Sequence, residues 1–400
     1  MKIVQINGCS FGSTGKIMFG ISEVARENGF AVKCVYPVTS VNKNKTPAID
    51  EIRIGTHNSR RFNILIGRIT GLSGRFSYIE TYILLKKLDE FKPDIIQLHN
   101  LHESYINLSM LFNYINKNNI KIFWTLHDCW AFTGHCAHFD YIGCDKWKTK
   151  CEHCQLKKAY PKSYFADTSE ISYKFKKKLF TSVKNMTIIT PSKWLAELTE
   201  QSFLNKYPIK VIYNGIDLRI FKPSESDFVK KYSLKGKKIV LSLASVWTKN
   251  KGIADVLELS NRLKDDYKFV VVGSLSDTSL PENIIYIPRT ESQTELAEIY
   301  TAADIFINPT YEDNFPTVNI ESLACGTPVI TYNTGGSPEA LDDTCGVVVE
   351  RGNIDAMERE IKRVCEEKPY SEENCVARAK MFDMNDKFKE YVELYKSLQI

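Results

Sequence analysis

EDNFPTVNIESLACGTPVITYNTGGSPEA, residues 312–340, carries two carboxylates, Asp313 and Glu321, eight positions apart in a run otherwise dominated by apolar and small residues. A hydrophobic core does not hold unpaired carboxylates. The preceding IFINPT reads as a strand, YEDN as the loop leaving it, Pro316 as a first-turn helix residue, and Cys325-Gly326 as the helix end before a second strand, PVITYN. Asp313 then lies in the loop at the strand's carboxyl end, and Glu321 lies about one and a half turns into the helix. Between them the helix opens with the N–H groups of Thr317 and Val318, where unpaired donors and the positive end of the dipole suit a phosphate. Carboxylates beside such a site repel phosphate, so their partners are better sought among hydroxyl groups of a sugar or ribose attached to it. The alternative is an acidic helix start that only complements the dipole.

The same alternation extends in both directions. KIVQING, AVKCVYPV, DIIQLHN, KIFWTLHD and MTIITPS alternate with longer amphipathic stretches, the first from about Thr14 to Asn28. Runs such as DIIQL are apolar at nearly every position, as strands covered on both faces are, so a parallel sheet with flanking helices is expected. A fresh series begins around KVIYNGID and continues through KKIVLSLAS, YKFVVVGS, NIIYIPR, DIFINPT, TPVITYN and GVVVE. A chain of 400 residues exceeds what one core usually serves. Two α/β units joined near residues 200–217 are therefore expected, with ligands beyond the carboxyl ends of the strands.

Composition is that of a globular chain, 43% apolar and 25% charged, without a low-complexity tract. No apolar stretch approaches the roughly 20 residues of a membrane span, and MKIVQINGCSFG lacks the features of a signal peptide. A cytoplasmic protein is expected. The formal charge of +5 is mild for this length and does not by itself point to nucleic acid. Eleven cysteines without an export signal do not suggest a disulfide framework. Cys136, Cys144, Cys151 and Cys154 could supply four thiolates to one structural zinc, and the alternatives are a cluster of reduced packing thiols or a redox role.

The tract Asp313-x7-Glu321, followed by SLACGTPVI and NTGGSPEAL, resembles the signature of retaining GT-B glycosyltransferases of family 4, which carry E-x7-E there. VIYNGIDLRIFKP, with Asn214, Gly215, Asp217 and Phe221, resembles the family's entry to its second domain. TKNKGIADVLE resembles its diphosphate-contacting loop, with Lys251 in the lysine position and Val246 where the family often has arginine. FGSTGKIM resembles its glycine-rich loop, through Gly12 and Gly15, and His127 of TLHD its donor-side histidine.

The resemblance implies an α/β GT-B fold, two Rossmann-like parallel-sheet domains facing across a cleft. Residues 1–205 would form the acceptor-side domain with a Cys-rich insertion at 129–154, residues 206–380 the nucleotide-sugar domain, and residues 381–400 a helix crossing back. It implies a retaining hexosyltransferase for surface polysaccharide, exopolysaccharide or capsule, using a GDP- or UDP-sugar and no catalytic metal. Lys251 would take diphosphate charge, Asp313 and His127 would meet the donor sugar, and Glu321 would hold the ribose. Thr317, Val318, Asn314, Phe315, Gly12 and Gly15 would complete the donor site, with Lys249 a substitute for the absent arginine. The acceptor would be a saccharide or polyprenyl-linked saccharide; HNLHES, with His99, Asn100 and His102 after a strand, is expected to face it, the alternative being simple loop capping. The basic and apolar segment SRRFNILIGRITGLSGRFSYIETYILLKK would touch the inner face of the plasma membrane, or else form a solvated helix face over core residues. An inactive GT-B subunit serving a partner enzyme is the other reading of the resemblance.

Overall fold

In a computed structural model of the chain, which describes residues 1–264, 266–276 and 279–398, the apolar runs of the first half pair as one parallel sheet. Its strands are Lys2–Ile6 (β1), Ala31–Pro37 (β2), Glu51–Ile54 (β3), Ile95–Leu98 (β4), Lys121–Thr125 (β5), Met186–Thr190 (β6) and Ile209–Val211 (β7). Their order is β3-β2-β1-β4-β5-β6-β7, so the winding reverses between β1 and β4, where diverging loops leave room for a ligand. Between the strands run Gly12–Glu27 (α1), His57–Thr70 (α2), Tyr78–Phe91 (α3), Leu108–Lys117 (α4), Ser169–Phe180 (α5) and Lys193–Glu200 (α6). The KVIYNGID run departs from expectation, because β7 hydrogen-bonds to β6 and ends the first sheet instead of opening the second.

The second sheet contains Lys238–Val246 (β8), Tyr267–Ser274 (β9), Ile284–Ile287 (β10), Ile305–Asn308 (β11), Val329–Tyr332 (β12) and Gly346–Val349 (β13), in the order β10-β9-β8-β11-β12-β13. Its helices are Phe228–Lys231 (α7), Ile253–Arg262 (α8), Gln293–Ala302 (α9), Thr317–Ala324 (α10), Ile354–Glu367 (α11) and Glu372–Ala379 (α12), and Met384–Lys396 (α13) is the last helix among the described residues. Strand periodicity sorts its core into two layers. Val270, Val272 and Phe306 pack on one face and Phe269, Val271, Ile305 and Ile307 on the other, as alternation of side chains across a strand requires.

By contacts the chain divides into one unit of Met1–Ile212 with the C-terminal residues from Phe388 onward, and a second of Tyr213–Lys387. The end of α13 belongs to the first. There Tyr395 donates to Gln97 Oε1 at 3.1 Å, and its ring lies 5.5 Å from that of Phe123. Phe388 lies so close to Gly20 that a β-carbon there would meet its ring at 2.2 Å, which leaves glycine the residue that fits.

Candidate nucleotide-sugar site

In the second unit, α10 opens one residue later than the sequence suggests, with Pro316 as the residue before the helix and no side-chain cap. Its initial N–H groups therefore have no partner from a capping side chain, the condition under which a helix start receives an anion. The helix is anchored from behind, where Asn308 Nδ2 donates to Asn319 Oδ1 at 2.8 Å and Asn319 Nδ2 to the Ser337 carbonyl at 3.2 Å.

The loop before α10 is stitched to the turn that precedes α8. Lys251 Nζ donates to Asp313 Oδ2 at 2.6 Å and to the Glu312 carbonyl at 3.2 Å. Asn250 Nδ2 donates to Glu312 Oε2 at 2.9 Å, and the Tyr311 N–H to the Asn250 carbonyl at 2.8 Å. Deeper in, the Asp255 carboxylate of α8 is 6% exposed and accepts from Tyr311 at 2.8 Å and Tyr332 at 2.6 Å. Burial, reinforced by Asp255, pushes the Tyr311 phenol up to about 12 and raises that of Tyr332 as well, so both stay protonated donors.

A third segment presses on the same loop. Gly335 has φ of +54°, and a β-carbon there would lie 1.8 Å from the Asp313 carbonyl oxygen. Only glycine fits that approach. The neighbouring Gly336 N–H donates to the Asn314 carbonyl at 2.9 Å. Further along α10, Glu321 accepts from Thr317 Oγ1 at 3.2 Å and from Tyr300 of α9 at 3.3 Å.

Tyr311, Glu312, Asp313, Thr317, Val318 and Glu321 are all partly exposed. One loop and one helix start thus present an ammonium, backbone donors and carboxylates together. Two expected contacts differ. The Phe315 ring is buried between Tyr213 and Phe382, with centroids at 5.1 and 5.7 Å, so an aromatic expected at the donor belongs to the core. Asn314 is also buried, and its backbone carbonyl serves the Gly336 turn. Val246 ends β8 exposed, and Lys249 is exposed two residues before Lys251.

In the first unit a second polar group collects where β1, β4 and β5 end. His99 is buried, its Nε2 lying 2.8 Å from Gln5 Oε1 and its Nδ1 3.0 Å from His127 Nε2. Burial lowers both imidazoles, His127 to about 4 and His99 well below its ordinary value, with His127 adding to the second shift. Both are neutral at pH 7. If His99 donates through Nε2 to Gln5, its Nδ1 accepts from His127, which fixes the His127 tautomer as Nε2–H. His102 is buried between Asp128, 3.0 Å from its Nε2, and the Tyr160 hydroxyl, 2.9 Å from its Nδ1. Burial opposes ionisation of Asp128, but the His102 charge and hydrogen bond hold its carboxyl down at about 2.

The expected acceptor histidines are therefore engaged within their own unit, each supporting a neighbour from behind. Asn100 is partly exposed, its N–H 3.4 Å from Asn7 Oδ1. Gly12 opens α1 at φ of +69°, and a β-carbon on Gly15 would stand 2.7 Å from the Ser10 carbonyl carbon, so both glycines of that turn meet a backbone requirement.

The insertion after β5 is a run of turns without strand or α-helix up to α5. All eleven cysteines are free thiols. Cys136, Cys144, Cys151 and Cys154 line one cavity of about 200 Å³, and Cys151 accepts from the Gly134 N–H at 3.1 Å. A hydrogen bond between Cys136 and Cys154 raises the first thiol and lowers the second. Beside them Lys176 is buried, stacked 4.0 Å over Trp130, and lowered by burial to about 7. The four cysteines expected to share a zinc are brought to one cavity, and among the described residues no three His, Cys, Asp or Glu side chains are grouped to hold a metal ion. The Cys136–Cys154 hydrogen bond and the Gly134 N–H engage three of the four sulfurs.

Sequence reading missed Asn250, Asp255, Tyr311, Tyr332, Gln5 and Tyr160. Each acts on a partner 56 or more positions away, and a single sequence carries no signal for such pairing.

Residues 20–220 match the family model "Glycosyltransferase Family 4", and residues 224–382 match "Glycosyl transferases group 1". The putative colanic acid biosynthesis glycosyl transferase WcaC of Escherichia coli K12 is 24% identical over 88% of each chain. The N,N'-diacetylbacillosaminyl-diphospho-undecaprenol alpha-1,3-N-acetylgalactosaminyltransferase of Campylobacter jejuni is 26% identical, over 50% of this chain and 57% of its own. Among solved structures, sucrose-phosphate synthase from Thermosynechococcus elongatus superposes with a TM-score of 0.75 at 15% identity, covering 99% of this chain and 98% of its own. Anabaena HepE in complex with UDP gives 0.68 at 14% identity, covering 99% and 100%. These likenesses establish a GT-B fold. With half of its length matched by that family model, the chain belongs to Glycosyltransferase Family 4.

Proposed function

We propose that this glycosyltransferase moves a hexose, with retention of configuration, from a GDP- or UDP-sugar to a saccharide acceptor carried on a polyprenyl lipid. The product would enter a surface polysaccharide. The observation that carries the reading is the Lys251–Asp313 pair, 2.6 Å apart, which ties the turn before α8 to the loop that runs into the uncapped start of α10. The names of relatives favour the finer parts: one refers to colanic acid biosynthesis and one to a diphospho-undecaprenol acceptor, and HepE is described with UDP and with UDP-glucose.

Transfer breaks the anomeric C–O bond, and negative charge develops on the departing diphosphate. Lys251 and the N–H groups of Thr317 and Val318 take that charge, which removes the need for a catalytic metal. Lys251 leaves Asp313 for the diphosphate, and Asp313 turns to the donor-sugar hydroxyls while Glu321 holds the ribose. A neutral His127, its Nε2–H given to His99, accepts from a sugar hydroxyl and adds no charge. Retention follows from attack on the same face, with a leaving phosphate oxygen accepting the acceptor hydroxyl's proton, so no protein nucleophile is assigned.

The test is transfer by purified protein to a lipid-linked or short saccharide acceptor, in EDTA, with the product's anomeric coupling read by NMR. A product of inverted configuration contradicts the retaining mechanism, and dependence on added divalent ion contradicts the role of Lys251. The cysteine insertion is assigned a structural part. About one equivalent of zinc in purified protein, lost in Cys151→Ser, would place a metal there; a metal-free protein of unchanged stability leaves the thiols as packing.

A further inference from the structure

The loop that leaves β4 is strained. Glu103 and Ser104 stand at φ of +70° and +53°, two successive non-glycine residues in the left-handed region, and Ser77, which donates to the Ser104 carbonyl at 2.6 Å, stands at +64°. Such conformations persist only where the surroundings hold them. Here Arg60 of α2 donates to Glu103 Oε2 at 2.6 Å, and Ser104 packs so closely on α2 that a β-carbon on Gly67 would meet its hydroxyl at 2.6 Å. The bent turn sets Glu103 and Ser104 on the wall of a hollow that α2 and the insertion after β5 complete, with Arg68, Tyr160 and Lys162 among the other lining residues.

Two polar atoms of that wall lack partners. Ser73 and His135 both line the hollow, and Ser73 Oγ and His135 Nε2 are buried without a hydrogen bond, a state that costs free energy until a ligand or water completes it. The enclosed space is about 20 Å³. It admits one water or one hydroxyl group and is too small for a phosphate or a sugar ring. A hydroxyl both donates and accepts, so it can serve both orphaned atoms, whereas a phosphate would also be repelled by the Glu103 carboxylate.

Tyr160 stands at the mouth. Its hydroxyl is held 2.9 Å from His102 Nδ1 and bonded to Glu103, and its ring meets that of His102 at right angles with centroids 5.1 Å apart, yet the residue is 44% exposed. A fixed, exposed aromatic face beside a polar hollow suits a pyranose, because the electron-rich face attracts the C–H groups of the sugar while its hydroxyls turn to the polar wall. The hollow adjoins the end of β4, at the reversal of winding, and His102 links it to Asp128, the residue after His127.

We propose that this hollow is a subsite for the saccharide acceptor: a pyranose lies on the Tyr160 ring and sends one hydroxyl inward to Ser73 Oγ and His135 Nε2, while Glu103 receives a neighbouring hydroxyl at the mouth. The proposal rests on the glycosyl-transfer reading and deepens it, giving the insertion a part in choosing the acceptor. Sugar binding needs neither donor nor turnover, so it succeeds or fails independently of transfer.

The test is titration of the full chain with the methyl glycosides of glucose, galactose and N-acetylglucosamine, followed by saturation-transfer NMR. At least one should bind, and among its monodeoxy forms one should bind at least about tenfold more weakly, the loss expected when buried polar atoms are left unpaired. Tyr160→Ala should abolish binding. Should that variant misfold, Ser73→Ala supplies the comparison, since it removes a hydroxyl that has no partner; it should unfold like the wild type and bind the glycoside about fivefold more weakly. No binding of any of the three glycosides, deoxy forms that all bind like the parent, or unchanged binding by the folded variants overturns the proposal and leaves the hollow a place for one water. Binding of inorganic phosphate but of no glycoside overturns it too.

Discussion

Lys251 and Asp313 neutralise each other across 2.6 Å, and this pairing shapes what single substitutions do. Exposed ion pairs contribute little to stability, and both side chains are partly solvated, so Lys251→Ala should leave thermal unfolding nearly unchanged. Its turnover should drop by about 10²–10³, the usual cost of removing one donor to a developing oxyanion. Gly335→Ala should act through the backbone. With φ of +54° and the Asp313 carbonyl 1.8 Å from the new methyl, the loop has to move, at a cost of roughly 1–3 kcal/mol for strain alone. Reduced donor affinity together with a lower unfolding temperature is the expected pair of results. The strand, loop and helix that carry Asp313, Thr317 and Glu321 are legible in the sequence because they are contiguous there. The burial of Phe315 is not legible there, because an aromatic in a loop sequence looks the same whether it faces out or into the core.

At the level of elements, the clasp of Asp255 on Tyr311 and Tyr332 holds α8 and its preceding lysine turn to the loop carrying Asp313. Tyr332→Phe removes one of the two donors to a buried carboxylate and should cost about 1–3 kcal/mol. The final helix carries a larger share. Tyr395 is fully buried and bonded to Gln97, so Tyr395→Ala should destabilise the first unit by about 3–5 kcal/mol, read by denaturant unfolding. Sequence periodicity located most of these elements, since runs apolar at every position and helices of mixed face differ in period. It could not assign β7 to a sheet, because a three-residue strand has no pattern beyond its two partners' choice of edge. Nor could it say which face of α2 turns inward. Periodicity gives a stripe, and only the neighbours decide that Asn63 and Gly67 are covered while Phe62 and Leu65 are not.

For the whole molecule, acid is the condition that should tell most. The folded His127 titrates near 4, below its ordinary 6.5. As pH falls from 6.5 the unfolded chain takes up protons first, so stability present above 6.5 is lost progressively down to about 4. Asp128, held near 2 against its ordinary 3.8, continues the loss over that lower window. Unfolding temperature should therefore fall continuously below pH 6.5, and His127→Gln should flatten the upper part of that slope. A pH-independent unfolding temperature between 6.5 and 4 would contradict the buried neutral pair. The division into two sheets of α/β units was legible from length and rhythm, and the family signature supplied what rhythm could not.

The central claim is that Lys251 and the start of α10 together accept the charge of a departing nucleotide without a metal. Release of nucleotide from GDP- and UDP-sugars, followed in EDTA for the wild-type chain and for Lys251→Ala, tests it most directly. The account predicts release from one of these donors by the wild type, undiminished by EDTA, and a loss of about 10²–10³ in the variant. Near-normal release by Lys251→Ala, or release by the wild type that requires added divalent metal, would contradict it.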